Sequence, residues 1–484
     1  MKITRDSLAT DLQPLGFTQI FRKIWQLVLT PAAFLFAALM LANVFAYVYH
    51  MIIARMLTPA DYGALVTLMS VSYVLDVIMR TVQAWLTKTV SDLRKTGSGQ
   101  VWLVFRLAVR IIVPLGMVVF IIGVIASRWI ADFLHMDAAV PVILLGLYAG
   151  LHFLEPVPRG ILLGLDRLKI GSSTVVVESF SRVIVGVLLI LLGLKTSGGM
   201  SGYAAGSLIS FALGVFLLRP ALLADRHTDP KKTHMEGIDR YAWMVLLTNI
   251  FLMLMATLDQ ILVKRFFSPE IAGNYAVTFV LGRVIVMTAI SLGMVVFTRS
   301  ATSQINEPKQ FGFLVKGLLV MAGISLVTLV CAIAAPDLII RLLAGSQYSL
   351  AKAYISLVIV EMALFGLIYV LAYYLISIRR MKVIYPLLGA TVLEIALLSI
   401  FHASVQQVLG ILILIMTGLL VTVSIYTWRV IRGILKQAPS LPSGPMPSDP
   451  ADPSPSGLSP SGPLLSDPSP SGPLPSDPSP FGRG

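Results

Sequence analysis

The sequence predicts an all-α polytopic membrane protein with about twelve transmembrane helices in two six-helix lobes. Three observations carry that expectation. First, 56% of the 484 residues are hydrophobic and 13% charged, too little charge to cover a soluble domain of this size. Second, runs of about 20 apolar residues recur through most of the chain, and mean hydropathy is +0.85. Third, a short motif at the end of the first apolar run returns near the end of the seventh. In lipid a helix satisfies its own backbone groups, whereas a β-barrel would show alternating segments of about ten residues, which this chain lacks.

Residues 1–30 form a polar to amphipathic segment in which Phe17, Ile20, Phe21, Ile24, Leu27 and Val28 recur at helical spacing beside Arg22 and Lys23, as in an interfacial helix or an extension of the first span. The expected spans are 31–54, 62–86, 104–127, 138–163, 171–194 and 201–218 in an N-lobe (31–218), and 242–263, 274–298, 313–335, 351–377, 384–402 and 406–428 in a C-lobe (241–436). The longest connection, 219–240, is polar and basic and joins the lobes. Residues 437–484 are rich in Pro, Ser and Gly with little apolar surface to bury, so a disordered cytoplasmic tail is expected. Counted on alternate sides of these spans, 24 Lys and Arg lie on the side of the termini and seven on the other. That bias places both termini in the cytoplasm, and it explains the net charge of +13 without nucleic acid. The lone cysteine, Cys331, excludes an intramolecular disulfide. The run from Pro31 to Ala54 is too long for a signal h-region and lacks a cleavage pattern.

The repeat is explicit. Arg55-Met-Leu-Thr58-Pro59-Ala-Asp61-Tyr-Gly63 follows the first span, and Arg265-Phe-Phe-Ser268-Pro269-Glu-Ile-Ala-Gly273 follows the seventh. Asp166-Arg-Leu-Lys169 after the fourth span is echoed by Arg379-Arg-Met-Lys382 after the tenth. Nearly one offset serves both, which predicts a six-plus-six parallel duplication. In the first corner Thr58 can cap the next helix with Pro59 in its first turn, and Gly63 then permits close helix packing.

A first span ending in Arg-x-Leu-Thr-Pro-x-Asp-Tyr-Gly-x-Leu resembles the start of the polysaccharide-biosynthesis flippases. These are the oligosaccharide repeat-unit translocases of the multidrug/oligosaccharidyl-lipid/polysaccharide exporter superfamily. The resemblance covers roughly residues 15–436 and implies a MATE/MOP-like fold and a cationic central cavity. It also implies flipping of undecaprenyl-diphosphate-linked repeat units across a bacterial inner membrane by alternating access. Polysaccharide polymerase and glycosyltransferases are the implied partners. Lipid II flippases of the same superfamily usually carry two further C-terminal spans, and this chain stops at twelve. A drug or metabolite antiporter on the same fold is the alternative, although cationic drugs would need a net acidic cavity. A membrane glycosyltransferase or ligase acting on lipid-linked sugars is a third reading, but the loops opposite the termini are short for an enzyme site.

Ionisable groups at membrane depth each cost roughly 2.5–3.5 kcal/mol on insertion scales, so they should face a cavity or a partner. The first half has three acid-then-arginine pairs at i, i+4: Asp76/Arg80, Glu155/Arg159 and Glu178/Arg182. The second half has Asp259, Arg283, Glu361 and Glu394, with no such pairing. The pairs could simply neutralise themselves and pin helix packing. Alternatively Arg80, Arg159, Arg182 and Arg283 are substrate-binding candidates, because a guanidinium's planar fork matches phosphate oxygens. Asp76, Glu155, Asp259, Glu361 and Glu394 are candidates for proton or sodium coupling. Glu155-Pro156-Val-Pro158-Arg159 is expected to bend the fourth span and act as a gating bend. His50, His152 and His402 read as packed or interfacial, and His135, His227 and His234 as loop residues. No spacing suggests a metal site, a cofactor, a Walker loop, a nucleophile elbow or a dinucleotide fingerprint, so an enzyme is not expected.

Overall fold

A computed structural model describes residues 31–95, 100–224, 240–302 and 309–437. The expected N-terminal interfacial helix, most of the inter-lobe connection and the Pro/Ser-rich tail lie outside the described residues. Within them every regular element is helical, and twelve helices are long and apolar enough to cross a membrane. The protein is a multi-pass membrane protein of two six-helix lobes.

The N-lobe comprises α1 (Pro31–Met56), α2 (Pro59–Lys95), α3 (Val101–Ile125), α4 (Ser127–Phe133), α5 (Val140–His152), α6 (Pro156–Gly164), α7 (Leu168–Leu191) and α8 (Lys195–Ala224). The C-lobe comprises α9 (Arg240–Met255), α10 (Leu258–Phe266), α11 (Pro269–Thr302), α12 (Lys309–Ala334), α13 (Pro336–Leu343), α14 (Ile355–Ser377), α15 (Ile384–Ile400) and α16 (Val405–Gln437). α5 with α6 makes the fourth span, and α9 with α10 the seventh. The fourth span breaks at residues 153–155, where Pro156, lacking an N–H, starts a new helix. The seventh breaks at Ala256–Thr257. The short helices α4 and α13 occupy matching places in the two lobes and were not foreseen.

Packing repeats with the sequence. In the N-lobe α1 lies on α7, α7 on α8, α2 on α6, α3 on α5, and α5 on α8. In the C-lobe the same spans pair: α9 on α15, α15 on α16, α11 on α14, α12 on α14, and α14 on α16. Exposure follows. The third and ninth spans are the least buried, with apolar side chains such as Ile111, Ile122, Leu319 and Val327 turned outward as lipid demands. The second, fourth, eighth and tenth spans form the centre. α2 has 37 residues, about 55 Å at 1.5 Å per residue, so it projects well beyond a hydrocarbon layer of about 30 Å.

The two sequence echoes are the same backbone device twice. Asp166 and Arg379 both take left-handed φ, 62° and 57°. The next N–H reaches five residues back in each case: Arg167 to the Leu162 carbonyl (3.0 Å) and Arg380 to the Leu375 carbonyl (2.8 Å). That is the Schellman helix stop. The corners match as well. The Asp61 N–H donates to Thr58 Oγ1 (3.2 Å) and the Ile271 N–H to Ser268 Oγ (3.5 Å), so each Ser/Thr caps the long helix that follows.

The lobes meet where α2 crosses α11. A Cβ added to Gly63 would stand 2.8 Å from the Gly273 nitrogen, and one added to Gly273 would collide with the Pro59 carbonyl. Only paired glycines allow this backbone approach. Beside the crossing, Gln260 Nε2 of α10 donates to Thr67 Oγ1 of α2 (3.0 Å). Since the number of spans is even, this closed seam lies on the face opposite Pro31 and Gln437, the outer ends of α1 and α16, here the distal face.

Candidate substrate cavity

Helical spacing begins the site. Tyr148, His152, Glu155 and Arg159 succeed one another along the fourth span at three or four residues, so even across the break they line one face. Tyr73, Asp76 and Arg80 do the same on α2, and Glu178 and Arg182 on α7. The three faces converge on a cavity of about 370 Å³ that Arg80, Arg159 and Arg182 all line. That volume falls in the range of small-molecule sites, about 300–1,000 Å³.

Arg159 is the hub. Its Nη2 donates to Glu155 Oε2 (3.2 Å), Glu178 Oε2 (2.9 Å) and Ser210 Oγ (2.9 Å), and its Nε to Thr174 Oγ1 (3.1 Å). Glu178 therefore bridges two arginines, because Arg182 Nη2 also donates to Glu178 Oε1 at 2.6 Å. The Arg182 guanidinium lies over the Tyr203 ring, 4.0 Å from its centroid, and its Nε has no hydrogen-bond partner among the described residues. Glycines make room: a Cβ on Gly206 would meet the Glu178 carbonyl at 2.8 Å, and one on Gly202 the Arg182 carbonyl at 2.8 Å. α8 thus presses directly on the turn of α7 that carries both charges.

Two of the three expected pairs form, Glu155/Arg159 and Glu178/Arg182. The third does not. Asp76 Oδ1 stands 2.8 Å from His152 Nε2, and His152 Nδ1 stands 3.3 Å from Glu155 Oε1. Arg80 is left without a hydrogen bond or ion pair among the described residues, exposed at the cavity wall. A histidine reaching across from the fourth span competes for Asp76 better than an arginine one turn away on its own helix. His152, read from sequence as packed or interfacial, is thus part of the cavity, stacked on Tyr148 (centroids 5.1 Å apart).

Arg283 comes from the other lobe. Its guanidinium covers the Tyr73 ring at 3.6 Å, and its Nη1 has no partner among the described residues. Tyr73 and Arg182 line the cavity, whereas Arg283 is buried behind Tyr73 and does not line it; each of the two guanidinium groups rests on a tyrosine face. Cation–π contacts of this kind hold a guanidinium by about 0.5–2 kcal/mol without occupying its N–H donors. Sequence reasoning missed the tyrosines; the one trace of them is that Tyr148 and Tyr73 lie in helical register with the charges. On α1, Leu35 and Leu39 close the cavity with apolar surface.

The coupling candidates divide. Asp76 and Glu155 belong to the N-lobe network. Asp259, Glu361 and Glu394 are wholly buried in the C-lobe, away from it. Tyr275 donates to Asp259 Oδ2 (2.5 Å), whereas both oxygens of Glu361 and of Glu394 lack a hydrogen bond among the described residues. Among those residues no group of three or more His, Cys, Asp or Glu side chains is placed to hold a metal ion.

Twelve spans in two repeated lobes define a membrane transporter fold; the charged cavity, expected centrally between the lobes, is lined by N-lobe residues. The chain belongs to the polysaccharide biosynthesis protein family, whose family model matches residues 28–304. Among solved structures it is similar to an inward-facing multidrug-resistance MATE transporter of the MOP superfamily, with TM-score 0.71, 10% identity, and coverage of 82% of this chain and 96% of that one. It is similar to an outward-facing MATE transporter at TM-score 0.58 and 12% identity, covering 84% and 97%. It is also similar to the lipid II flippase MurJ in an inward closed conformation, at TM-score 0.61 and 12% identity, covering 83% and 90%. No curated protein matches the sequence.

Proposed function

We propose that the protein flips undecaprenyl-diphosphate-linked oligosaccharide or polysaccharide repeat units across the bacterial inner membrane, by alternating access, for surface polysaccharide biosynthesis. In this reading both termini are cytoplasmic and the closed distal face is extracytoplasmic. The carrying observation is that Arg182 lines the cavity and Arg283 of the other lobe backs its Tyr73 wall, each with a nitrogen unpartnered among the described residues, while Arg80 lines the same cavity with no ion pair among those residues. A diphosphate is the group such donors suit: planar guanidinium forks meet paired oxygens, and fixed cations lower the cost of taking that charge out of water. The apolar rim at Leu35 and Leu39 suits an amphiphile whose tail stays in the bilayer. Family membership supports the polysaccharide context. A cationic drug suits the cavity poorly, because Arg80, Arg159 and Arg182 balance its acids Asp76, Glu155 and Glu178.

For coupling, the C-lobe carboxylates Asp259, Glu361 and Glu394 are better placed than Asp76 and Glu155, whose oxygens already face His152 or Arg159. A buried carboxylate without a partner is a place for a proton or a sodium ion. The test is reconstitution with a fluorescent polyprenyl-diphosphate sugar and a leaflet-protection assay. The wild type should translocate the probe, and Arg182→Ala and Arg283→Ala should slow it at least tenfold. Translocation unaffected by either substitution would remove the reading.

A further inference from the structure

The distal seam carries a pair of contacts that the transport reading does not use. Each corner arginine of the duplicated motif reaches across to the other lobe. Arg55 Nη2, at the end of α1, donates to the Leu342 carbonyl (2.6 Å) and the Arg341 carbonyl (3.4 Å) at the end of α13. Arg265 Nη1, at the end of α10, stands 3.0 Å from His135 Nε2, just past α4, with its guanidinium over the Phe133 ring at 5.0 Å. α4 and α13 are the equivalent short helices of the two lobes, so the two contacts are one contact made twice. The first is reinforced: Gln347 Nε2 donates to the Ala54 and Leu57 carbonyls (2.7 and 3.0 Å), and the Tyr348 hydroxyl to the Ala54 carbonyl (2.9 Å).

The duplication has left the two latches chemically different. Arg55 is received by backbone carbonyls, which do not titrate. Arg265 rests against an imidazole, its Nη1 3.0 Å from Nε2 and 3.4 Å from Nδ1; protonation turns both ring nitrogens into donors and sets a second cation beside the guanidinium. We propose that Arg55 and Arg265 are paired latches holding the distal seam closed, and that acid on the distal side releases the Arg265 half by protonating His135.

The surroundings favour such a switch. His135 is exposed, and its left-handed φ of 50° holds it just past the end of α4. Asp132, at the end of α4, and Asp137, on the connection after it, are both exposed near His135 in sequence. From α10, Lys264 and Arg265 face this region and oppose a second positive charge; Asp137 and Asp61 act on Lys264. His402, from the connection between α15 and α16, stacks on Phe266 at 4.0 Å and does not receive Arg265. Loosening this latch leaves the Arg55 side, the glycine crossing and the Gln260–Thr67 bond to hold the lobes together on the distal face.

The single native cysteine makes the test direct. With Cys331→Ser removing it, Ser70→Cys supplies a reporter; Ser70 is fully buried and lies two helical turns below Gly63 on the same face of α2. A membrane-impermeant maleimide is added from the distal side of oriented vesicles at about pH 7.5 and about pH 5.5. Each rate is divided by that of the same thiol in unfolded protein at the same pH. The parent should label severalfold faster in acid. His135→Gln should lose that acid response, Arg265→Gln should label fast at both pH values, and Arg55→Ala should label faster at neutral pH yet keep the response. An acid response unchanged by His135→Gln would overturn the proposal, as would its absence in the parent or neutral-pH labelling of Arg265→Gln at the parental rate. The assay needs no substrate, so its outcome is independent of the proposed cargo.

Discussion

Glu178 shows how much one side chain carries. It is buried, and it accepts from Arg159 at 2.9 Å and Arg182 at 2.6 Å. Removing one member of a buried ion pair typically costs about 3–5 kcal/mol, because the remaining charge is left uncompensated. Glu178→Ala should therefore lower the melting temperature of purified protein markedly, and Glu178→Gln, which keeps an acceptor oxygen, should lower it less. Equal melting of the two variants would show that the carboxylate is not the anchor it looks to be. The sequence shows Glu178 beside Arg182 because both lie on one helix face. It does not show Arg159 beside Glu178, or His152 beside Asp76, because those contacts join different helices and depend on how α6, α7 and α2 come together.

At the scale of elements, the duplicated corner was legible as a motif but its partner was not. Base, Ser/Thr-Pro and Gly at one spacing predicted a capped helix start twice over. That the two glycines touch each other, closing the lobes, follows only from the crossing of α2 and α11. Gly273→Ala forces a methyl group into the Pro59 carbonyl and should drive the seam apart, seen as faster distal labelling of a Ser70→Cys reporter. Gly389→Ala, where an added Cβ meets nothing within 4 Å, should leave labelling unchanged. The helices α4 and α13, of seven and eight residues, were missed because two turns are too short to display a period. The proline pair in the fourth span, by contrast, announced itself. Both residues fall in the first turn of α6, so they start a helix after a break instead of bending a continuous one. Replacing both with Ala should let α5 and α6 fuse and move His152 and Glu155 relative to Arg159. Transport should fall while membrane insertion persists; full transport by the double variant would show the break to be incidental.

At the scale of the whole molecule, the lobes share a topology but not a chemistry. The N-lobe gathers acids and bases around open space. The C-lobe buries Asp259, Glu361 and Glu394 among apolar residues with no base paired to any of them among the described residues. Hydropathy made the spans legible, since lipid imposes length and composition on each of them. It could not rank the carboxylates, because pairing is a property of the assembled bundle. Asp259 is next to Gln260, whose amide crosses to Thr67 at the seam, so a change at the acidic cluster has a short path to the lobe contact. Glu361→Gln and Glu394→Gln should preserve folding and remove the dependence of transport on an imposed proton or sodium gradient. Gradient-driven transport at the wild-type rate in both variants would exclude these residues as the coupling site.

The central claim is that Arg182 in the cavity wall and Arg283 behind Tyr73, one from each lobe, together hold a diphosphate. Equilibrium binding of a polyprenyl-diphosphate sugar to purified wild type, Arg182→Ala and Arg283→Ala tests it without the complications of transport. A charge-assisted hydrogen bond contributes about 1.5–3 kcal/mol, so each substitution should weaken binding roughly tenfold or more. The same sugar lipid with a neutral linkage in place of the diphosphate should bind the wild type and both variants alike. Equal affinity of wild type and variants for the diphosphate lipid would contradict the account.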